Sequence, residues 1–275
     1  MRIVITGSKG QLGSALGRVL DDEDLLLVDL PEHDITRLES IVQAITEFRP
    51  EVIVHAAAMT DVDGCERDPD MAHKVNVLGT RNVAVAAQQS DSSLVYISTD
   101  YVFSGDKGRP YWEYDDPNPL SIYARTKWAG EQLTRNLLCR YYVVRTAWLY
   151  GKGHYNFVEA VLRLADQRDS VQMVTDEVGS PTYALDLARA LSLLIRQPAY
   201  GTYHLSNAGS CSRYEWAKEI LRLAGRRDLE LIPSENYARA ARVPKHVALY
   251  NFCGAELGIV MRPWQEALQD YFDAR

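Results

Sequence analysis

A tyrosine and a lysine have the residue types and the spacing needed for proton transfer. Tyr123 and Lys127 are four residues apart, which places both side chains on one face of a helix. A phenol with a pKa of about 10 is a poor catalyst at neutral pH unless a nearby cation favours its ionised form, and Lys127 supplies that cation. Thr99 lies 24 residues before Tyr123 at the end of an apolar run. A Tyr-x-x-x-Lys pair also occurs on ordinary amphipathic helices, so the surrounding motifs decide its interpretation.

A glycine-rich segment, 6–13, follows the first predicted strand and opens the first predicted helix. In this context Gly7 permits a tight turn, Gly10 lets the backbone approach a pyrophosphate, and Gly13 lets the helix pack closely on the strand. The amino terminus of the helix then offers unpaired N–H groups to the anion. The segment therefore predicts a dinucleotide-binding turn, and a glycine-rich turn without a ligand is the alternative.

An acidic residue at the end of the second predicted strand bears on which dinucleotide binds. Asp29 lies 22 residues after Gly7, close to the spacing of a carboxylate that hydrogen-bonds the adenosine ribose hydroxyls. Its charge repels a 2′-phosphate, whereas the cation of Lys9 attracts one. We weigh the carboxylate more heavily and predict NADH or NADPH as cofactor, with NADH slightly favoured. The alternative for Asp29 is a turn residue with no cofactor contact.

Small residues follow the third predicted strand. Ala56, Ala57 and Ala58 leave room for a flat cofactor across the edge of a sheet, although alanines also begin helices and fill tight cores. His55 is interpreted as a packed strand residue. The segment 60–66 resembles part of a calcium loop, but its glycine comes too early and no bidentate Glu follows at the right distance. We therefore predict no metal site.

Short apolar runs alternate with helical patterns in the first half of the chain, which predicts βαβ units and a parallel sheet covered on both faces. The predicted strands there are 2–6, 25–29, 52–55, 94–98 and 142–146, and the predicted helices are 11–20, 36–48, 69–89 and 121–138. Farther along, we predict helices at 157–168, 185–195, 212–224 and 263–272, and strands at 171–174 and 203–205. The predicted fold class is α/β: a doubly wound, Rossmann-like parallel sheet with a smaller mixed α/β substrate lobe. The predicted dinucleotide-binding domain is 1–150 and the predicted lobe is 151–275, with a soft boundary because later strands can return to the main sheet.

The composition excludes several classes of protein. The chain has 275 residues, of which 47% are hydrophobic and 24% charged, values typical of a globular protein and not of a disordered one. The net charge of −7 argues against a nucleic-acid or anionic-membrane surface and favours small-molecule partners. The four cysteines show no disulfide or zinc spacing, and we see no signal peptide or membrane span. A cytoplasmic location is expected.

Together these motifs resemble the extended short-chain dehydrogenases/reductases, and within them the dTDP-4-dehydrorhamnose reductase family. The resemblance covers nearly the whole chain and is carried by the stretches 10–13, 34–36, 56–63, 98–105, 123–127, 145–150 and 179–182. The Ser-Thr-Asp-Tyr-Val-Phe run at 98–103 is much more specific than the general motifs of the superfamily.

The resemblance implies a role for each matching residue. Thr99 would hold the substrate carbonyl, Tyr123 would donate the proton, and Lys127 would lower the tyrosine pKa and bind the nicotinamide ribose. The implied cofactor-binding residues are Gly7, Lys9, Gly10, Gln11, Leu12, Gly13, Asp29, Leu30, Asp34, Ile35, Ala56, Ala57, Ala58, Thr60, Ser98, Tyr123 and Lys127. The implied substrate-binding residues are Asp100, Tyr101, Trp148 and Arg242.

Several positions depart from the family pattern. Val243 and Val247 stand where the pattern has Arg and Ser, so we expect this segment to bind the substrate's diphosphate or base more weakly, with Arg242 still able to reach it. Glu177 replaces a Gln and adds a negative charge near the expected substrate.

A second departure concerns oligomerisation. Ser14 and Ala15 occupy the region in which some members of the family carry magnesium-binding Glu residues at a dimer interface. A homodimer is compatible with the sequence, but a metal-linked one is not expected.

The leading functional hypothesis is an NAD(P)H-dependent reductase of a nucleotide-linked 4-keto-6-deoxyhexose, dTDP-4-dehydro-L-rhamnose to dTDP-L-rhamnose. One alternative is a sugar-nucleotide epimerase or dehydratase that regenerates its cofactor, and the 98–103 run favours the reductase over it. Another is a non-catalytic regulatory subunit that resembles the methionine adenosyltransferase β subunit. The presence of Thr99, Tyr123 and Lys127 argues against that loss of catalysis.

Overall fold

Strands and helices alternate along most of the chain, and the computed structural model describes residues 1–226, 229–235 and 237–275. The strands are β1 (Arg2–Thr6), β2 (Asp24–Val28), β3 (Val52–His55), β4 (Ser93–Thr99), β5 (Tyr141–Thr146), β6 (Leu149–Tyr150), β7 (Ser170–Val174), β8 (Val178–Gly179), β9 (Thr182–Tyr183), β10 (Gly201–His204), β11 (Cys211–Ser212) and β12 (Glu230–Ser234). The helices are α1 (Gln11–Val19), α2 (Leu38–Phe48), α3 (Val62–Arg67), α4 (Pro69–His73), α5 (Thr80–Gln89), α6 (Ile122–Leu137), α7 (Phe157–Gln167), α8 (Ala184–Leu194), α9 (Arg213–Leu223), α10 (Phe252–Glu256) and α11 (Trp264–Asp273). A π-helical turn, Lys74–Gly79, joins α4 to α5, and a 3₁₀ turn, Asp100–Val102, follows β4.

Six parallel strands form the main sheet, in the order β2-β1-β3-β4-β5-β10. Its strands are apolar on both faces because helices cover both sides. Ile3 and Ile5 of β1 belong to one core with α1 and α8, whereas Val4 belongs to a second core with α2 and α5. The predicted doubly wound α/β sheet is confirmed.

The carboxyl ends of the strands meet along one edge of this sheet. The chain order reverses at β1, which has β2 on one side and β3 on the other, and ligands of such sheets bind outside the strand ends at this point. The pairing places Thr6 level with Val28 and with His55, and Thr99 level with Thr146. The loops that follow these strands therefore open onto a common site.

The second half of the chain contributes to two separate cores. β10 pairs with β5 at the edge of the main sheet, and Leu187 and Leu191 of α8 pack in the same core as α1. The helices α7, α9 and α11 pack around another core, which contains Trp216, Tyr150 and Leu268. The division of the chain at residue 150 stays a prediction.

The chain is helical over the predicted segment 69–89, but the π-helical turn Lys74–Gly79 lies between α4 and α5, which sequence periodicity did not predict. The wider turn directs Asn76 into the interior, where its Oδ1 accepts the backbone N–H of Met59 at 2.8 Å. Its Nδ2 donates to the Thr126 hydroxyl at 3.0 Å and to the Met59 carbonyl at 3.1 Å. The π-helical turn therefore ties the loop after β3 to α6.

The shortest elements are not predicted by periodicity. α3, α10, β6, β8, β9 and β11 have two to six residues each, too few to show a repeat. β12 contains Pro233, and proline weakens the sequence signal of a strand. Within the described ranges, no helix combines the length and the apolar composition that crossing a bilayer requires.

A buried carboxylate joins three of these elements. Glu131 of α6 accepts two hydrogen bonds from Arg145 of β5, at 2.9 Å from Nε and 2.8 Å from Nη2, and both side chains are buried. The Ser98 hydroxyl of β4 donates to Glu131 Oε1 at 2.6 Å, and Arg135 donates to Oε2 at 3.2 Å. We call these four residues the Glu131 network. Because a buried charge is costly unless it is paired and hydrogen-bonded, the network fixes α6 against β4 and β5.

Replacing Glu131 by Gln would leave Arg145 buried without its counter-ion. We expect the free energy of unfolding, measured by urea denaturation, to fall by about 3–5 kcal/mol. Glu219→Gln is a matched control on α9, because Glu219 pairs with the exposed Arg222 and exposed pairs contribute at most about 1 kcal/mol. Equal losses in the two variants would contradict a stabilising role for the network.

Candidate active site

A cavity of about 660 Å³ lies at the carboxyl edge of the main sheet, in the size range of cofactor and ligand sites. It brings together most of the residues that the sequence predicted for cofactor, catalysis and substrate. These are Gly7, Lys9, Gly10, Gln11, Leu12, Gly13, Asp29, Leu30, Asp34, Ile35, Ala56, Ala57, Ala58, Thr60, Ser98, Thr99, Tyr123, Lys127 and Trp148. The predicted residues Asp100, Tyr101 and Arg242 do not line it.

Sequence reasoning missed several further residues of the cavity wall. They are Val28, His33, Thr36, Val75, Ile97, Thr146, Ala147 and Leu149. Val28, Ile97 and Thr146 lie at or next to the ends of strands whose carboxyl edge was predicted, so that signal could have found them. His33 and Thr36 lie in the loop after β2; Thr36 belongs to the stretch 34–36 that carries the family resemblance, whereas no motif marks His33.

The glycine-rich turn forms a cradle that side chains would fill. Gly7 has a φ of 69°, in the left-handed region, and a Cβ there would lie 2.7 Å from the backbone nitrogen of Ala57. A Cβ on Gly13 would lie 2.1 Å from the Gly7 carbonyl oxygen. Gly10 precedes α1 without a side-chain cap, so the first N–H groups of the helix stay available. The turn therefore has the geometry of an anion-binding helix terminus.

Another observation at this end of the cavity points to a ligand. The Oε1 atom of Gln11 is buried and has no hydrogen-bond partner among the described residues, although Gln11 lines the cavity. Buried polar atoms of this kind are usually satisfied, and a bound dinucleotide offers donors for it.

Asp29 and Lys9 face each other across the loop after β2. The Asp29 carboxylate accepts the backbone N–H groups of Lys9 and Leu30, each at 2.8 Å. The Lys9 ammonium donates to the Leu30 carbonyl at 2.6 Å and to Glu32 at 2.9 Å. The Lys9 ammonium thus pairs with Glu32, and the Asp29 carboxylate is held beside the glycine-rich turn.

The candidate proton donor, Tyr123, is half-buried and lines the cavity with Thr99 and Lys127. Burial raises the pKa of Tyr123 well above its usual value, and interaction with the Thr99 hydroxyl acts in the opposite direction. The Thr99 hydroxyl donates to Asp100 Oδ1 at 2.9 Å and accepts the Tyr101 N–H at 3.2 Å. Without a further cation Tyr123 is therefore a neutral phenol, the form that donates a proton.

Lys127 is a buried amine that lies over an aromatic ring. Its Nζ is 4.3 Å from the centroid of Tyr96, a cation–π distance. Burial lowers the pKa of Lys127 to about 7, and the negative charge of Glu131 acts to raise it. At neutral pH the ammonium and amine forms of Lys127 are therefore present in comparable amounts.

His55 has a structural role. Its two ring nitrogens lie 2.7 Å from the Thr6 hydroxyl and 3.1 Å from the Thr80 hydroxyl, and all three groups are buried. Burial, with the nearby charge of Lys127, lowers the pKa of His55 to about 3. The neutral ring agrees with its interpretation as a packed strand residue.

Asp100 lies behind Thr99 rather than in the cavity wall. Burial raises its pKa to about 7, against the opposing effects of Thr99 and Arg213. Its Oδ2 atom is buried and has no hydrogen-bond partner among the described residues. Tyr101, the next residue, is also buried.

Trp148 occupies a strained position at the other end of the cavity. Its φ of 45° lies in the left-handed region, which residues other than glycine seldom adopt. A Cβ on Gly179 would lie 2.5 Å from its indole ring, so only glycine allows this close approach. Trp148 stacks on Trp216 with ring centroids 5.6 Å apart. Arg213 covers the indole at 3.6 Å.

The segment that departs from the family pattern does not lie as expected. Val247 is only 1% exposed and packs in a core with Phe103 and Ala147. The expectation that Val247 weakens a contact with the substrate is therefore wrong, because its side chain faces the protein interior. Arg242 is exposed and Val243 packs partly against the same core.

The arginines that do approach the site were missed by sequence reasoning. Arg213 begins α9, and Arg239 lies in the loop after β12. Both guanidinium groups lie within 4 Å of Glu177, at 3.7 and 3.9 Å. No motif marks these residues, because three separate segments bring them together.

The amino-acid sequence matches the family model described as the RmlD substrate binding domain over residues 1–275. The chain belongs to this family. It is similar to a solved structure of dTDP-4-dehydrorhamnose reductase from Bacillus anthracis strain Ames in complex with NADP, with a TM-score of 0.95, 42% identity and coverage of 99% of both chains. It is 36% identical to the dTDP-4-dehydrorhamnose reductase of Aggregatibacter actinomycetemcomitans, over 98% of this chain and 97% of that protein.

A third relative is the spore coat polysaccharide biosynthesis protein SpsK of Bacillus subtilis strain 168. It is 36% identical over 100% of this chain and 98% of its own length. These matches confirm the predicted family and, with it, the prediction of a nicotinamide-dependent oxidoreductase.

Metal ligands are not clustered in the parts of the chain that the structure describes. Those parts contain no group of three or more His, Cys, Asp or Glu side chains able to hold an ion. Near the glycine cradle, the Ser14 hydroxyl points to the Ser8 carbonyl at 3.5 Å.

Asp100 predicts a specific pH dependence of stability. Because burial raises its pKa from 3.8 to about 7, the folded state binds the proton more tightly than the unfolded chain. The resulting stabilisation is fully present below the unfolded pKa and is lost as the pH rises through the folded pKa. Asn keeps an oxygen for Thr99 and cannot ionise. We therefore expect Asp100→Asn to gain stability relative to the unsubstituted protein as the pH rises.

The measurement is the free energy of unfolding by urea in steps from about pH 4 to about pH 8. Asp106→Asn is the control, because a hydrogen bond from Ser104 lowers the pKa of Asp106 below its usual 3.8, so its stability difference from the unsubstituted protein should stay nearly constant over this pH range. A constant difference between Asp100→Asn and the unsubstituted protein would show that Asp100 does not titrate as inferred.

Proposed function

We propose that this chain reduces the C4 ketone of a nucleotide-linked 4-keto-6-deoxyhexose with NADH or NADPH. The expected substrate is dTDP-4-dehydro-L-rhamnose and the expected product is dTDP-L-rhamnose. The observation that carries the proposal is the convergence of Thr99, Tyr123 and Lys127 on the cavity that also contains the glycine cradle. Membership of a family that includes named reductases of this class supports it.

The residues present fit a dinucleotide cofactor. Gly7 and Gly10 would hold the pyrophosphate, Asp29 the adenosine ribose, and Lys127 the nicotinamide ribose. When bound, the reduced cofactor supplies a hydride to the carbonyl carbon of the substrate. The close approach of Gly7 to Ala57 and the unpartnered Gln11 oxygen are the features of this chain that support the assignment.

Tyr123 acts as the proton donor to the carbonyl oxygen. Desolvation keeps its phenol neutral, so it both hydrogen-bonds the oxygen as negative charge develops and transfers the proton. Lys127 then stabilises the resulting phenolate, since an ammonium group nearby favours the ionised form of the phenol. Thr99 and Lys127 are buried and Tyr123 is half-buried, which strengthens these interactions because little water screens them.

Thr99 is the second donor to the same oxygen. In the structure its hydroxyl proton is directed at Asp100, and a hydroxyl has one proton to donate. Binding of the ketone requires this hydroxyl to rotate from Asp100 to the substrate. The raised pKa of Asp100 favours its neutral form below about pH 7. A neutral Asp100 makes the rotation of the Thr99 hydroxyl easier, because the rotation then leaves no carboxylate charge without a hydrogen-bond donor.

The assay that tests the proposal follows oxidation of NADH or NADPH with a panel of dTDP- and UDP-linked ketosugars. Stoichiometric cofactor oxidation with formation of the reduced sugar is expected. An epimerase that regenerates its cofactor, or a regulatory subunit, would consume none. The cytoplasmic location and the homodimer stay predictions.

Tyr123→Phe tests the proton donor. The substitution keeps the ring and removes only the hydroxyl, so kcat should fall by roughly a hundredfold to ten-thousandfold while NADH binding, followed by fluorescence, stays near normal. Tyr155→Phe is the matched control, since Tyr155 is 73% exposed and does not line the cavity. A near-normal kcat in Tyr123→Phe would exclude Tyr123 as the donor.

We also propose that NADH is used at least as well as NADPH, because the negative charge of the Asp29 carboxylate, held beside the glycine-rich turn by the Lys9 N–H, would repel a 2′-phosphate. Asp29→Asn removes the charge and keeps one oxygen for the loop N–H groups. The kcat/KM ratio of NADPH to NADH should rise by roughly fivefold, since two charges about 4 Å apart in water interact by about 1 kcal/mol. Asp24→Asn, at the opposite end of β2, is the control. An unchanged ratio in Asp29→Asn would contradict the ribose assignment.

A further inference from the structure

The Arg213 guanidinium is held between the candidate active site and the core that contains Trp216. Its Cζ lies 3.6 Å from the Trp148 ring centroid, 5.0 Å from that of Phe157 and 5.7 Å from that of Trp216. Trp148 is itself part of the cavity wall. Aromatic rings fix the plane of a guanidinium and leave the N–H groups at its edge free to bind an anion.

These N–H groups have almost no partners within the protein. Among the described residues, Glu177 is the only carboxylate within 4 Å of the Arg213 guanidinium, with 3.7 Å between Nε and Oε2, which is longer than a hydrogen bond. The Arg213 side chain is only 17% exposed. A largely buried arginine normally has its donors satisfied, so this one is prepared for a further acceptor.

A second arginine approaches the same carboxylate. Arg239 Nη1 lies 3.9 Å from Glu177 Oε1, with the Arg239 side chain 19% exposed and the Glu177 side chain 13% exposed. Arg239 also pairs with Asp63 at 3.3 Å. Arg213 and Arg239 therefore converge on the Glu177 carboxylate, and neither arginine donates a hydrogen bond to it.

This charged group adjoins the candidate active site, because Arg213 covers the Trp148 indole and Trp148 lines the cavity. Arg213 interacts electrostatically with the buried carboxyl of Asp100, and both arginines interact with the buried Tyr101. Asp100 bonds Thr99 directly. An anion between the arginines would therefore belong to a substrate whose other end reaches Thr99 and Tyr123.

We infer that Arg213 and Arg239 bind the diphosphate of the nucleotide-linked sugar and that Glu177 occupies this position until the diphosphate displaces it. The inference rests on the proposed function, because it names how that substrate is recognised. A diphosphate carries more charge and more acceptor oxygens than one carboxylate, and it can satisfy the forked donors of both arginines. Glu177 partly neutralises the two half-buried cations in its absence.

The charged residues act on substrate binding and not on the chemical step. Arg213→Lys keeps a charge but removes the fork and the flat stacking surface, so the Kd for dTDP and the KM for the ketosugar nucleotide should rise at least tenfold, with kcat little changed. Glu177→Gln removes the competing charge while preserving shape. It should lower the Kd for dTDP by roughly twofold to fivefold, the range expected for a partly exposed ion pair.

The test measures dTDP binding by isothermal titration calorimetry on the full chain, with thymidine, which has no phosphate, as the comparison ligand. Thymidine affinity should be the same in every variant. Asp176→Asn is the matched control, because Asp176 adjoins Glu177 but pairs with Lys245 at the surface, at 2.7 Å. Thermal unfolding of each variant checks that it is folded.

The outcomes separate this inference from the proposed function. Failure of dTDP to bind, unchanged affinity in Arg213→Lys, or weaker binding in Glu177→Gln would each overturn the inference. If the unsubstituted protein reduces the ketosugar nucleotide while these variants behave alike, the proposed function stands and the inference fails. If the variants change dTDP affinity as expected but no ketosugar is reduced, the diphosphate site stands and the proposed function fails.

Discussion

Glu131 is a fully buried carboxylate whose partners come from the two strands next to its helix. Arg145 neutralises it from β5, and Ser98 donates from β4, one residue before Thr99. Glu131 also lies one helical turn after Lys127 on α6. A charge in this position is stable only while all of these partners are in place, so one interaction sets the relative position of the elements that carry Thr99, Tyr123 and Lys127.

Burial shifts the pKa values of the groups in this arrangement in opposite directions, upward for Tyr123 and Asp100 and downward for Lys127. It penalises the charged form of each: the phenolate of Tyr123, the ammonium of Lys127 and the carboxylate of Asp100. The phenol is thereby kept protonated for donation, while Lys127 keeps its charge only with help from Glu131 and the Tyr96 ring. The site therefore combines a neutral acid with a nearby cation, and the network that fixes its geometry also adjusts its charge.

The substrate end of the site depends on packing between the core that contains Trp216 and the core that contains Phe103 and Ala147. Trp148 adopts an uncommon backbone conformation and lies against Gly179 and Trp216. This packing presents one part of the indole to the cavity and another part to Arg213. A rigid aromatic residue thus connects the surface on which the sugar is expected to bind with the cations that we assign to its diphosphate.

The sequence by itself determined the parallel sheet, the glycine-rich turn and the order of the candidate catalytic residues. These depend on short-range features: apolar strands, glycines at a turn and two side chains one helical turn apart. Only the tertiary structure decided that Val247 is buried, and that Arg213 and Arg239 approach Glu177. Such contacts join residues far apart in the chain, and no local periodicity encodes them. They arise when the core formed by α7, α9 and α11 packs against the main sheet, because that packing determines whether each side chain is exposed or buried.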